Sequence, residues 1–245
     1  MASRILPRAD LVAFLAASLV TGSAARGENL ATFPAGVERF PAFRYAALGA
    51  PACKAELTKR GVPFRDTGGP APGVLAPIRL SGPVNGVAYH TALPEAERAK
   101  SPWEVFDCRL VLSLFDFGNL LRAHDIDDVV MFSAWRPPPK KWRAGKIADR
   151  HPGGLAIDIQ KLHQKDGTWL VVEDDYHGHI GNETCGENQI APDPPSDGAK
   201  ALRALVCEAV DAHIFQVVLT PNYNQAHFNH VHLEVKAGVK WFLVR

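Results

Sequence analysis

Two stretches decide the fold of this chain: His151–Ile159 (HPGGLAIDI) and His227–Val235 (HFNHVHLEV). Towards the end of each stretch every second residue is apolar, and the residues between them are small or polar. Asp158 lies at such a position in the first stretch, and His230 and His232 lie at such positions in the second. Because alternate side chains of a strand share a face, the pattern predicts two strands, each with one core-facing side and one polar side.

Helices are predicted before and between the strands. Apolar residues at three- and four-residue spacing predict a helix over Glu104–His124, and Ser196 or Asp197 can cap a second helix that ends near His213. The other predicted elements are a helix at Pro51–Arg60, strands at Val87–His90, Asp128–Ala134, Leu155–Leu162, Thr168–Val172, Ile214–Leu219 and His230–Val235, and an edge strand within Gly238–Val244. Helices around a mainly antiparallel sheet define the α+β class.

The beginning of the chain is typical of a signal peptide over residues 1–25. Arg4 and Arg8 precede the apolar run Leu11–Val20, and small residues follow it. This run is short for a bilayer span, so a retained membrane anchor is the weaker alternative. No later segment reaches transmembrane length. We expect an exported, periplasmic or extracellular protein with an irregular segment at residues 26–50 and one domain at residues 51–245.

The composition excludes some function classes. The 245 residues carry a formal net charge of only +1 and form no basic stripe, so we expect binding neither to nucleic acid nor to an anionic membrane. With 47% hydrophobic and 22% charged residues the chain has an ordinary globular composition, and it lacks the repeated Ser-Pro tracts of a plant-extensin-like structural protein. The sequence does not indicate an oligomeric state.

Four cysteines fit an exported protein: Cys53, Cys108, Cys185 and Cys207. Oxidising surroundings would pair this even set, and the absence of a CxxC spacing argues against a cysteine-based zinc site. Three pairings are possible. We expect Cys53–Cys108 and Cys185–Cys207, because each joins segments of the same part of the chain; buried free thiols are the alternative.

The polar sides of the two strands carry residue types that bind zinc. A Gly-Gly pair between His151 and Asp158 lets the backbone turn, so that the imidazole can approach the carboxylate. His230 and His232 share one face of the second strand. A single histidine is more often an ordinary core or surface residue, but three within six residues, matched to an upstream His/Asp pair, favour a metal site. Two imidazoles and one carboxylate with a position left for water are typical of catalytic zinc.

These motifs resemble those of a known group of proteins. HxxxxxxD at His151 and Asp158, followed by HxH, resembles D-alanyl-D-alanine peptidases, lysostaphin-type endopeptidases and hedgehog signalling domains, and Ser133-Ala-Trp-Arg136 resembles the SxxR element of that group. The extensin-like C-terminal family is closer still, over about residues 50–240. The segments that carry this resemblance are HPGGLAIDI, the following Asp166-Gly167, LRALVCEAV around Cys207, and VVLTPNYNQAHFNHVHLEV.

The resemblance implies a hedgehog/D-Ala-D-Ala-peptidase-like fold and a ligand set. His151, Asp158 and His232 would hold zinc, and His230 would lie beside the water that the metal activates. Carboxypeptidases of the group commonly have a glutamate as general base three residues before the last ligand, where this chain has Asn229. The role of base therefore falls to His230.

Further residues would contact the substrate. The resemblance implies that Arg136 holds the substrate carbonyl or its developing oxyanion and that Ser133 lies in the substrate site. The spacing of His227, His230 and His232 is similar to that in penicillin-insensitive murein endopeptidases, which makes His227 a substrate-binding candidate.

The implied function is zinc-dependent hydrolysis of a peptide bond in peptidoglycan, as an endopeptidase or a D,D-carboxypeptidase-type enzyme. The alternative is a zinc-binding module that recognises the cell wall without hydrolysis, because a fold alone does not imply activity. Presence of His230 favours the enzyme, and absence of the usual glutamate favours the module.

Overall fold

The computed structural model describes residues 31–245, so the predicted signal peptide lies outside the described residues. Its strands are β1 (Ala31–Thr32), β2 (Phe64–Arg65), β3 (Pro77–Leu80), β4 (Ala88–Thr91), β5 (Phe106–Asp107), β6 (Ile126–Met131), β7 (Ala156–Gln164), β8 (Trp169–Val171), β9 (Val217–Leu219), β10 (Val231–Glu234) and β11 (Phe242–Val244). The α-helices are α1 (Pro41–Ala46), α2 (Ala50–Lys59), α3 (Glu95–Arg98), α4 (Cys108–Ala123), α5 (Val172–Asp175) and α6 (Asp197–Asp211).

Strands β7 and β10, which contain parts of the stretches His151–Ile159 and His227–Val235, are neighbours near the centre of an eight-stranded mixed sheet. The strand order is β1-β11-β9-β10-β7-β6-β4, and β8 also pairs with β7. Strands β9 and β11 pair in parallel, as do β4 and β6, whereas the other pairs of this sheet are antiparallel. A smaller antiparallel sheet has the order β2-β3-β5. The predicted α+β class with a mainly antiparallel sheet is confirmed.

The core lies between the apolar face of the large sheet and two helices. Ile159 of β7 and Val231 of β10 pack with Phe117 of α4 and Leu205 of α6, and all four are buried. Burying one such side chain contributes about 1.5–3 kcal/mol. The predicted alternation along β7 and β10 therefore fixes which face of the sheet packs on the helices and which remains for polar groups.

The ends of the two predicted long helices have clear physical causes. Helix α6 begins where expected, because the hydroxyl of Ser196 accepts a hydrogen bond from the backbone N–H of Ala199 at 3.0 Å. Helix α4 begins at Cys108, later than the expected Glu104. The preceding residues are extended and pair with β3, and the Asp107 carboxylate caps the helix by accepting from the N–H of Arg109 at 3.0 Å.

Two expectations about the ends of the domain are wrong. Residues 26–50 were expected to be irregular, but Pro41–Ala46 form α1; six residues are too few to show a helical period, although proline suits its first turn. Strand β11 was expected at the edge of the sheet. It lies inside, because β1 pairs with its outer side through Ala31 and Thr32.

The predicted disulfide pairing is confirmed. Cys53–Cys108 joins α2 to the first residue of α4, and Cys185–Cys207 joins the long loop after α5 to α6. No cysteine is free. Both bonds therefore tie a peripheral segment to a helix that packs on the sheet. Within residues 31–245, no helix combines the length and the apolar character needed to cross a bilayer.

The two disulfides should differ in their effect on stability. Replacing Cys53 and Cys108 together by alanine should lower the free energy of unfolding by about 4 kcal/mol, against about 3 kcal/mol for Cys185 and Cys207. The reason is loop entropy, since the bonds close loops of 55 and 22 residues. Urea denaturation of both double variants measures the difference; a larger loss for the shorter loop would contradict the entropic account.

Candidate metal centre

Three buried side chains meet on the polar face of strands β7 and β10. The antiparallel register pairs Asp158 with His232, and Nδ1 of His232 lies 2.9 Å from Oδ1 of Asp158. Nε2 of His151, from the turn that precedes β7, lies 3.1 Å from the same oxygen. One ligand atom from each residue lies within 4.8 Å of the other two. This buried His-Asp-His group could bind a metal ion.

The turn that carries His151 needs both of its glycines, for different reasons. Gly154 has a φ of +63°, a left-handed conformation that disfavours other residues. Gly153 is required because there is no room for a side chain: a Cβ atom there would lie 2.1 Å from the carbonyl oxygen of Ala148. The close approach of these backbones places the His151 ring above the sheet.

Gly153→Ala should therefore disturb the site. The methyl group would push the turn away from the Ala148 carbonyl, and we expect a loss of about 2 kcal/mol or more in unfolding free energy together with weaker metal binding. Thermal unfolding and metal titration measure the two effects. Gly69→Ala is the control, since nothing lies within 4 Å of a Cβ at that exposed position; equal behaviour of the two variants would show that the turn tolerates the side chain.

Hydrogen bonds on the far side of each ring determine where its lone pair points. Nδ1 of His151 lies 2.9 Å from the carbonyl oxygen of Ala134, which can only accept, so Nδ1 carries the proton and Nε2 faces Asp158 as a lone pair. Nε2 of His232 lies 3.4 Å from the Glu234 carboxylate, which leaves Nδ1 as the lone pair. Such partners typically orient metal-binding histidines. Two lone pairs and a carboxylate oxygen in mutual contact require a cation or a proton between them.

The charges of the site agree with this requirement. Burial alone would raise the pKa of Asp158, but the close contacts with the His151 and His232 rings outweigh burial and hold that pKa below its ordinary value. Burial would lower the pKa of His232, but hydrogen bonding to Asp158 and Glu234 outweighs it and raises that pKa. The metal-free site thus favours a proton on His232, at the position where a metal would lie.

Arg136 and Ser133 support the carboxylate from its other side. Nη2 of Arg136 donates to Oδ2 of Asp158, and Nε donates to the Ser133 hydroxyl at 2.8 Å. Oδ1 of Asp158 therefore remains directed at the two histidines. The Arg136 side chain is 52% exposed, so it can reach a bound molecule as well. The structure brings both SxxR residues to the site, and their roles towards substrate stay predictions.

His230 lies beside the group without belonging to it. Its Nε2 is 3.5 Å from Oδ1 of Asp158, and its Nδ1 is 3.0 Å from the side-chain oxygen of Asn229. Nδ1 therefore carries the proton and donates it to the Asn229 oxygen, which leaves the Nε2 lone pair facing the site. Burial lowers the pKa of His230, against the opposing effect of Asp158, so the ring is neutral near pH 7.

Aromatic side chains continue from His230 to the surface. The ring centroid of His227 lies 5.0 Å from that of His230 and 5.2 Å from that of Tyr223. Burial, and then the neighbouring His230 and His232, lower the pKa of His227 to about 4. Tyr223 and Phe228 are 40% and 44% exposed. A neutral aromatic wall thus borders the candidate metal centre.

Sequence reasoning did not find three of the contacts that orient this site. The alternation of the second strand places Glu234 on the polar face beside His232, but it does not predict the contact between their side chains. Asn229 was noted only for replacing a glutamate, and its contact with His230 depends on side-chain conformation. The Ala134 carbonyl is a backbone group, which no residue type reveals.

The fold and the site together define an α+β domain with a buried His-Asp-His group. Residues 52–244 match the family described as "Extensin-like protein C-terminus", so the chain belongs to this family. The searches of curated proteins and of solved structures found no match.

Proposed function

We propose that this protein is a zinc-dependent peptidase that hydrolyses a peptide bond in peptidoglycan. The observation that carries the proposal is the convergence of Nε2 of His151, Nδ1 of His232 and Oδ1 of Asp158 at one buried point, with both ring lone pairs directed there. His230 adds a neutral base within the same cluster.

The donor set suits zinc better than calcium or magnesium. Two imidazole nitrogens and one carboxylate oxygen are typical zinc ligands, whereas the other two ions prefer oxygen alone. Zinc bonds of about 2.0–2.1 Å in a tetrahedron separate the ligand atoms by about 3.3 Å. The contacts to Asp158, at 2.9 and 3.1 Å, need to open by only a few tenths of an ångström. Bound there, zinc would lower the pKa of a water molecule to about 7 and polarise a carbonyl group.

The protein's own residues would move the proton and hold the substrate. His230 accepts a proton at Nε2, while Asn229 holds its Nδ1 proton and keeps the ring in this orientation. Arg136 keeps Asp158 in place, and its exposed side chain stabilises the oxyanion that develops on the substrate. His227 and Tyr223 form a neutral wall for the adjoining part of the substrate.

The substrate class and the location rest on different arguments. Peptidoglycan is inferred from the resemblance carried by the SxxR, HxxxxxxD and HxH motifs in this order. Export to the periplasm or the cell exterior is supported by the two disulfides, because such bonds persist in oxidising compartments.

Mass analysis of purified muropeptides after incubation with zinc-loaded protein tests the proposal. We expect products whose masses differ from the substrate by the addition of water at one peptide bond, and none after removal of zinc with a chelator. Restored cleavage on adding zinc back separates metal dependence from denaturation. A zinc-loaded, folded protein that leaves all muropeptides intact would defeat the enzymatic proposal.

A non-catalytic zinc-binding wall module is the second candidate function. The observation that favours it is Asn229, which cannot accept a proton and occupies the position where the peptidases that these motifs resemble commonly have a glutamate. Sedimentation with insoluble peptidoglycan distinguishes the two: zinc-dependent binding without release of fragments would support the module, and fragment release would support the enzyme.

A further inference from the structure

A cluster of three arginines lines a cavity away from the metal centre. Arg65, Arg79 and Arg98 come from β2, β3 and α3 and face a cavity of about 310 Å³. None of the residues that form the candidate metal centre lines it. We call this space the arginine cavity.

Two of these arginines are direct neighbours across the small sheet. The register of β2 and β3 pairs Arg65 with Arg79. Like charges directly opposite each other in an antiparallel pair are destabilising. Arg79 is moreover only 8% exposed, so water screens its charge poorly. Burial, and then the charge of Arg65, lower the pKa of Arg79, and the charge of Glu104 opposes them without outweighing them.

The buried charge of Arg79 forms no ion pair within the described part of the chain. Among residues 31–245 no carboxylate lies within ion-pair distance of it, and its one hydrogen bond runs from Nη1 to the carbonyl oxygen of Arg98 at 3.5 Å. Nε of Arg98 is itself buried and unpartnered among the same residues. Arg109 provides the contrast: it is 3% exposed, and the Asp107 carboxylate receives two of its hydrogen bonds at 2.8 and 2.9 Å.

The acidic residues at the cavity compensate the charge of Arg79 only in part: Glu104 opposes the lowering of the Arg79 pKa but forms no ion pair with Arg79. Glu104 accepts hydrogen bonds from the N–H and the hydroxyl of Thr91, both at 2.8 Å. Glu95 is exposed at the rim. The ring of His90, also in the lining, is engaged with Asp128. The arginine cavity therefore presents excess positive charge with donors to spare.

The remaining walls indicate the size and kind of the occupant. Leu80 is half-buried and adds apolar surface, whereas Tyr89 and Phe106, also in the lining, are only 6% and 1% exposed. The volume corresponds to about ten water molecules. Guanidinium groups match the oxygens of carboxylates and phosphates in geometry and charge. We propose that the arginine cavity binds a small organic anion, its carboxylate or phosphate held by Arg65, Arg79 and Arg98 and its apolar part against Leu80.

Calorimetry on the metal-stripped full chain at constant ionic strength tests this directly. The probes are benzoate and phenyl phosphate, their small counterparts acetate and inorganic phosphate, and neutral benzamide. We expect saturable binding of one benzoate or phenyl phosphate, about tenfold tighter than that of its small counterpart, because the ring is buried. Benzamide should not bind. The tighter of the two aromatic anions identifies the carboxylate or the phosphate as the preferred group.

Variants decide whether binding occurs at this cavity. Arg65→Gln changes an exposed residue and should weaken binding at least about tenfold. Arg143→Gln, at an exposed loop position outside the cavity, and Arg136→Gln, at the metal centre, should leave the affinity unchanged. Arg79→Met should abolish binding and raise the melting temperature of the ligand-free protein by about 3 °C, because it removes a buried charge that no ion pair compensates. An arginine with a purely structural role would lower the melting temperature when replaced.

Three results would overturn the proposal: no saturable binding of any probe, equal affinity in Arg65→Gln and the parent protein, or loss of binding in Arg136→Gln alone. The last would locate the anion at the metal centre instead. Since no measurement here uses zinc or peptide cleavage, the outcome is independent of the proposed peptidase function.

Discussion

His232→Ala is expected to lower zinc affinity by more than about 100-fold. Removing a residue that only hydrogen-bonds to a metal ligand typically costs about 10–100-fold, and removing the ligand itself should cost more. The variant removes one of three donors and leaves Oδ1 of Asp158 with the two remaining imidazoles of His151 and His230. Peptidoglycan hydrolysis should fall together with the zinc affinity. Elemental analysis after equilibrium dialysis at fixed zinc measures the effect, and circular dichroism shows whether the variant is folded.

The chain contains a matched control for this variant. His177-Gly-His179 has the same HxH spacing as the second strand, but His179 is exposed and lies outside the metal-binding group. His179→Ala should keep about one zinc per chain. If His232→Ala also keeps one zinc per chain, the assignment of ligands is wrong.

His230→Ala is expected to retain zinc but to lose about 10²-fold or more in hydrolysis. Its Nε2 lies 3.5 Å from Oδ1 of Asp158, farther than the two proposed ligand nitrogens at 2.9 and 3.1 Å, and the neutral ring can accept a proton near pH 7. Paired zinc analysis and muropeptide cleavage on the same preparations separate the two roles.

The variant Asn229→Ala tests whether Asn229 holds His230 in the orientation needed for a base. Without the amide oxygen, the Nδ1 proton of His230 loses its partner and the ring can adopt the other tautomer, so we expect a smaller loss of hydrolysis with unchanged zinc. If His230→Ala loses zinc as fully as His232→Ala, His230 is a ligand. If it binds zinc and cleaves normally, the base lies elsewhere, with Glu234 or His227 next in line.

Local patterns predicted the parts of the molecule that depend on one segment at a time. The alternation in the two opening stretches identified strands β7 and β10 and the face on which Asp158 and His232 lie. Helix α6 followed from its cap at Ser196 and its apolar stripe. The cysteine pairing followed from the neighbourhood of each pair in the sequence.

Two features that depend on distant partners were not predicted. The sequence predicts an edge position for β11 because its outer partner, Ala31–Thr32, is only two residues long and lies about 210 residues away in the chain. Arg65 and Arg79 become neighbours only through the register of two short strands, and the burial of Arg79 depends on α3 and on the residues around it. Neither the register nor the burial is visible in residue types.

The two-sided character of β7 and β10 limits how this domain can change in evolution or by design. Inserting or deleting one residue in either strand would move every following side chain to the opposite face of the sheet. Asp158 or His232 would then enter the hydrophobic core, and Ile157 or Leu233 would leave it. Length changes are therefore confined to the connecting loops, such as the one closed by Cys185–Cys207. To transplant the site into another scaffold, a designer must move both strands as one registered pair.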